Sequence, residues 1–195
     1  MSVATPTLAE LAAKQAITEV LHRYCRSMDR MDRELALSCW HAGGTDEHTP
    51  LFSGTGEAFV DWVWKIHEPM LLTRHTLSNV LIEVDGDNAW SESYWTVLLR
   101  IARDGAIYDL WSGGRYVDHL SCVAGRWAFV HRRSVHDWDQ VQLLEMTMAN
   151  FPGPALVEPA ALQAPLYPAR RSQQDPSYQA LVGHAMQFGK GGVGA

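Results

Sequence analysis

Residues 71–84 read LLTRHTLSNVLIEV, and how they are folded decides the architecture. Arg74, Thr76, Ser78, Val80, Ile82 and Val84 fall on one side, and Thr73, His75, Leu77, Asn79, Leu81 and Glu83 on the other. That is the period-two alternation of a half-buried strand.

Upstream of Pro69 the spacing is helical. From about Leu8 to Met28, the apolar positions Ile17, Val20, Leu21, Tyr24, Cys25 and Met28 form the stripe of an amphipathic helix. A short second helix is expected over Arg33–Trp40, with Asp32 as its N-cap. The run GEAFVDWVWKIHEPM predicts a third, with Phe59, Val60, Val63, Trp64 and His67 on one stripe and Pro69 ending it. Between them, HAGGTDEHTPLFSGTG reads as polar and turn-rich.

Downstream of Pro69, four strands are expected over 72–84, 89–103, 107–123 and 126–139. Asp85-Gly86-Asp87-Asn88, Asp104-Gly105 and Ala124-Gly125 separate them as hairpin turns. Strands this long favour a strongly curved sheet that wraps around something. Helices followed by an antiparallel meander make an α+β layout, with the helices on one side of the sheet. Residues 1–140 are read as one domain and 141–195 as a tail, with a short helix near Pro176–Val182. The rest of the tail is read as irregular or draped over a neighbouring subunit.

Composition narrows the function classes. A net charge of −6 argues against a nucleic-acid surface, which needs a basic patch. No apolar run reaches the roughly 18 residues of a membrane span. The start, MSVATPTLAELAAKQ, lacks the basic and apolar segments of a signal peptide. Cys25, Cys39 and Cys122 form no CxxC pair and fit a reducing compartment, so a cytoplasmic location is expected. Eight tryptophans point to an aromatic-lined cavity, an oligomer interface or a thick core.

Three groups of residues could carry chemistry. Asp29 continues the buried stripe of the first helix at the end where the dipole disfavours a carboxylate. Either the helix ends early and Asp29 faces water, or Asp29 is buried and requires a partner. His75 shares a strand face with Leu77 and Asn79. It is a structural histidine or, if a buried aspartate orients it, a general base working near neutral pH. In HRRSVHDWD, 131–139, Arg132 and Arg133 point to opposite faces. Either the run is a solvated rim, or one guanidinium lies inside and stabilises developing negative charge. No HExxH or HxH motif or clustered Cys/His run is present, so no metal site is expected. Gly113-Gly114, inside a strand run, predicts a bend or bulge.

Taken in order, several blocks resemble one family. They are the helix ending in YxxxxD (24–29), CWHAGG (39–44), a helix, RHTLSN (74–79) and GGRYVDHLSCVAGRWAFVHRRSVHDW (113–138). Together they look like the SnoaL-like branch of the nuclear transport factor 2-like superfamily, over roughly residues 8–140. The resemblance implies a cone-shaped α+β barrel in which a curved antiparallel sheet wraps N-terminal helices around a pocket. Characterised relatives, among them scytalone dehydratase, hexachlorocyclohexane dehydrochlorinase and bile-acid 7α-dehydratase, use an Asp–His pair without a metal or organic cofactor.

Carried over residue by residue, the resemblance implies His75 as the base, Asp29 as its orienting carboxylate, Tyr24 as a hydrogen-bond donor and Arg132 as an anion stabiliser. Tyr116 is a matching pocket residue, and Trp40, Phe59, Trp64, Asn79 and Trp95 complete the expected binding set. The leaving-group acid is left unassigned, since the polar residues of Ser91–Arg103 are Ser93, Tyr94 and Thr96. The implied function is a cofactor-independent lyase of the dehydratase or elimination type, acting on a hydrophobic cyclic or aromatic small molecule. An isomerase, a formaldehyde-releasing carbon–carbon lyase and a non-catalytic ligand-binding or dioxygenase small-subunit-like protein are the alternatives. A homo-oligomer is implied, a trimer before a dimer.

Overall fold

The computed structural model describes residues 5–145 and 169–181. Helix α1 runs Leu8–Arg30. The Thr7 side chain accepts from the Glu10 N–H while the Glu10 carboxylate accepts from the Thr7 N–H, a reciprocal cap. Its predicted stripe is buried as expected, and it ends at Met31 in the left-handed conformation, with φ of 51°. The helix therefore does not end early, and Asp29 lies within its last turn. Helix α2 is shorter than expected, Arg33–Leu37, and Asp32 caps it by accepting from the Leu35 N–H at 3.1 Å.

The segment expected to be turns holds two strands, β1 (Trp40–His48) and β2 (Phe52–Thr55). The glycines there misled because two of them serve packing. A Cβ on Gly44 would lie 2.7 Å from the Phe129 carbonyl oxygen, and one on Gly56 only 2.5 Å from the Trp40 ring. Gly43, with φ of 75°, does make a local irregularity, at which the β1 register slips between Trp40 and Thr45. Helix α3 covers Gly56–His67 under a Thr55 cap. Then come β3 (Leu72–Asp85), β4 (Asn88–Arg103), β5 (Ala106–Val123) and β6 (Arg126–Leu143), so β6 runs beyond the expected 139.

The six strands form one curved, unclosed sheet in the order β2-β1-β6-β5-β4-β3, wrapped around the helices as a cone-shaped α+β barrel. The expected four-strand meander from β3 to β6 is antiparallel throughout; β1, which was expected to be turns, pairs parallel with β6. Bulges re-aim the faces. On β3 the register slips between Ser78 and Leu81, with Asn79 at φ 50°. Inward positions therefore change from Thr73, His75 and Leu77 to Val80, Ile82 and Val84. On β5 and β6 slips occur at Gly113/Gly114, as the double glycine predicted, and at His119/Leu120. A Cβ on Gly113 would strike the Trp138 ring at 2.4 Å, so the bare backbone is needed there.

Helix α4, Pro176–Leu181, packs on the chain's own α1. Arg26 donates to the Ser177 hydroxyl and lies over the Tyr178 ring, whose O–H donates to Asp32 at 2.6 Å. The expected helix is thus found, up to Val182, which lies outside the described residues, as does the 146–168 part of the tail. The core centres on Ile17, Leu21, Tyr24, Phe59, Leu120 and Phe129, all at most 2% exposed. No helix among the described residues is long and apolar enough to cross a membrane.

Candidate active site

The last turn of α1 and the inward face of β3 bring Asp29 and His75 together. The His75 ring Nδ1 lies 2.6 Å from Asp29 Oδ1, and the His75 backbone N–H donates to both carboxylate oxygens at 3.0 Å. Their side chains are 13% and 8% exposed. One carboxylate thus fixes both the backbone and the ring of its partner. It holds the proton on Nδ1 and leaves Nε2 for a ligand. The awkward position of Asp29 is explained: hydrogen bonds replace the water that burial removed and oppose the unfavourable helix dipole.

His75 opens on a cavity of about 580 Å³. Tyr24, Phe59, Trp95 and Tyr116 line it as expected, with Trp62, Ile66, Val97 and Leu99 adding apolar wall. The size suits a small organic molecule. Asp29 itself lies behind His75, against a smaller recess lined by His22, Cys25, Arg26 and Arg30. The two phenols are deeply buried, and burial pushes both well above the usual tyrosine range. Each therefore keeps its proton, and the two phenols hydrogen-bond to one another beside the cavity.

Arg132 is not where the sequence placed it in function. It is fully buried and does not line the cavity. Its guanidinium forms two 2.8 Å bonds to Asp118 and sits 4.1 Å from each of the Tyr24, Tyr116 and Phe129 ring centres. Burial opposes its charge, but Asp118 and the phenols outweigh that and raise its pKa. Arg132 supports the ring wall from behind, out of reach of a ligand in the cavity. Trp40 belongs to the core, 5.6 Å from Tyr24 and 5.5 Å from Phe129 between ring centres. Trp64 packs against the core, since the cavity side of α3 carries Phe59, Trp62, Ile66 and His67. Asn79 is exposed, because the bulge turns it outward. These four leave the expected site.

Three features were missed. His67 was read only as part of the α3 stripe; it lines the cavity with its ring 6.0 Å from that of His75. Burial, helped by nearby His75, pushes its pKa down to about 3, and its Nδ1 is buried without a partner. His48, on the unexpected β1, also lines the cavity. Arg171, from the tail, donates to the Met70 carbonyl at the cavity wall and feels the charge of Asp29. Only the helical spacing of His67 was visible beforehand. Burial pushes Cys25 up, and Cys39 up to about 12, so both thiols are unreactive packing groups. Among the described residues no group of three His, Cys, Asp or Glu could hold a metal ion.

Residues 9–133 match the model of the SnoaL-like domain. No curated protein sequence matches the chain. A hexachlorocyclohexane dehydrochlorinase from Novosphingobium barchaimii is similar in fold, with a TM-score of 0.63 and 15% identity over 69% of this chain and 93% of that one. A second form of that dehydrochlorinase gives a TM-score of 0.64 and 17% identity over 69% and 92%. A Mycobacterium tuberculosis protein of unknown function is 26% identical over 70% of this chain and 78% of that one, with a TM-score of 0.58.

Proposed function

The chain belongs to the SnoaL-like family, and we propose that it is a lyase that eliminates a small group from a hydrophobic cyclic or aromatic molecule by general-base catalysis. The observation that carries this reading is the 2.6 Å Asp29–His75 pair opening on a largely apolar cavity of about 580 Å³. His75 Nε2 takes a proton from a carbon activated by a neighbouring carbonyl or ring. The released electron pair forms the double bond, and the leaving group departs from the adjacent carbon. Asp29 stabilises the imidazolium as its orienting acceptor. Tyr24 and Tyr116 donate to the oxygen on which negative charge gathers. No metal or organic cofactor takes part in this step. The fold shared with a dehydrochlorinase supports the reading as analogy only.

The same base serves an isomerase or a formaldehyde-releasing carbon–carbon lyase, and product mass separates these from dehydration or dehydrohalogenation. The decisive experiment screens cyclic and aromatic compounds for turnover, then repeats the assay with His75→Ala and Asp29→Asn. Loss of turnover in both variants supports the mechanism; full activity in both refutes it. Assembly into homo-oligomers, a trimer before a dimer, is part of the proposal. Exposed Trp90, Tyr94 and Trp111 on the strands support it, and light scattering of the purified protein tests it.

A further inference from the structure

A second histidine–carboxylate couple faces the same cavity. On β1 the alternation puts Asp46 and His48 on one side of the strand. Asp46 is 1% exposed, and its Oδ1 lies 2.5 Å from His48 Nδ1. The His48 ring stacks on Phe59 at 4.6 Å and meets Tyr116 edge-on at 6.2 Å. All three of these residues line the cavity, as does His75. With Nδ1 held by Asp46, Nε2 is the nitrogen left for a ligand, as in His75.

The surroundings set Asp46 apart from an ordinary structural carboxylate. Arg132 is its register partner across the parallel β1–β6 pair, yet that guanidinium donates Nε and Nη2 to Asp118, and its buried Nη1 makes no hydrogen bond to Asp46. Asp46 Oδ2 is buried with no partner. The hydrogen bond that this carboxylate does make is to His48 Nδ1. Two histidines, each hydrogen-bonded to its own aspartate, thus line one cavity.

We propose that His48 is the acid of this site, the group that protonates the leaving group while His75 removes the C–H proton. The proposal rests on the elimination reading above. In the step, the C–H pair becomes the new C=C bond and its proton goes to His75 Nε2. The C–O bond breaks with its electron pair on oxygen, which takes the proton from His48 Nε2, and water leaves. His75 ends as imidazolium and His48 neutral, and exchange with solvent resets both. Asp46 is a positioning residue.

The test uses the full chain and two matched probes, 3-hydroxy-5-phenylcyclohexanone and its 3-chloro analogue, with enone formation read by absorbance. Hydroxide needs a proton to leave and chloride does not. His48→Gln is expected to lower kcat on the hydroxy probe about 100-fold more than on the chloro probe. Asp46→Asn shifts the same ratio in the same direction, with KM little changed. Equal losses on both probes overturn the assignment and make His48 a packing residue. Full activity of His75→Ala on both probes instead sinks the elimination reading, which separates the two failures. A measurement without turnover stands beside these. Long-range ¹⁵N–¹H spectra should place the neutral-ring proton of His48 on Nδ1, and titration with the hydroxy probe should move its Nε2 signal. A proton on Nε2, or an unmoved signal at saturation, overturns the proposal.

Discussion

Two couples of a carboxylate with a nitrogen side chain lie on either side of the same wall of tyrosines, and they are built from similar parts. Asp29 and His75 meet at 2.6 Å where α1 ends beside β3, and His75 borders the cavity. Asp118 and Arg132 meet through two 2.8 Å bonds between β5 and β6, and both side chains are wholly buried. What separates them is access to the cavity. The imidazole has a second nitrogen facing a space that a molecule can enter. The guanidinium is enclosed by Asp118 and three aromatic rings, and has nowhere to act. Under the proposed function, similar parts serve chemistry in the first place and mechanical support in the second, and access decides which.

That contrast can be broken by mutation. His75→Ala should lower kcat by about 10²–10⁴ on any substrate the protein turns over, at a smaller cost in thermal stability because the backbone N–H bonds to Asp29 remain. Arg132→Ala should do the reverse. It leaves Asp118 buried without its partner and costs about 3–5 kcal/mol in urea unfolding. Arg132→Met combined with Asp118→Leu should recover most of that loss; if it does not, the pair is more than a filled volume.

His67 sharpens the contrast through pH. Its pKa is about 3 in the folded chain against an ordinary 6.5, so between those values the unfolded chain binds a proton that the folded chain refuses. Stability therefore falls as pH drops from 6.5 towards 3, by about 1.4 kcal/mol per pH unit from this group. His67→Phe should remove that share of the slope, read from urea unfolding at stepped pH. The smallest effect belongs to Thr55, whose hydroxyl caps α3 by accepting from the Ala58 N–H at 3.2 Å. Thr55→Ala should cost about 1 kcal/mol and loosen the helix carrying Phe59 and His67.

Where the sequence was readable, local periodicity was intact. The α1 stripe led to Asp29, and the first half of LLTRHTLSNVLIEV led to His75. Both come from continuous elements, and each had a single chemical anomaly that asked for a partner. Reading failed where a distant contact overrides local pattern. Asn79 was assigned inward because alternation was carried through a bulge that sequence does not mark. Asp46 and His48 were lost because β1 borrows its pairing from β6, so its glycines looked like turns when they were clearance for Trp40 and Phe129. Arg132 was singled out only by the family resemblance, and nothing local showed that Asp118 would pair with it.

The parallel pairing of β1 with β6 also governs the order of assembly during synthesis. Thr45 binds His131 across 86 residues of chain, so β1 has no neighbour on that side until the last strand has been made. The hairpins β3–β4 and β4–β5 close over short distances and can form early, whereas the β1 side waits for a long-range closure. Asp29 and His75 can therefore meet before the cavity has its second wall, while Asp46 and His48 take their places last. Completion of the sheet is what encloses the cavity and brings His48 and His75 to one space.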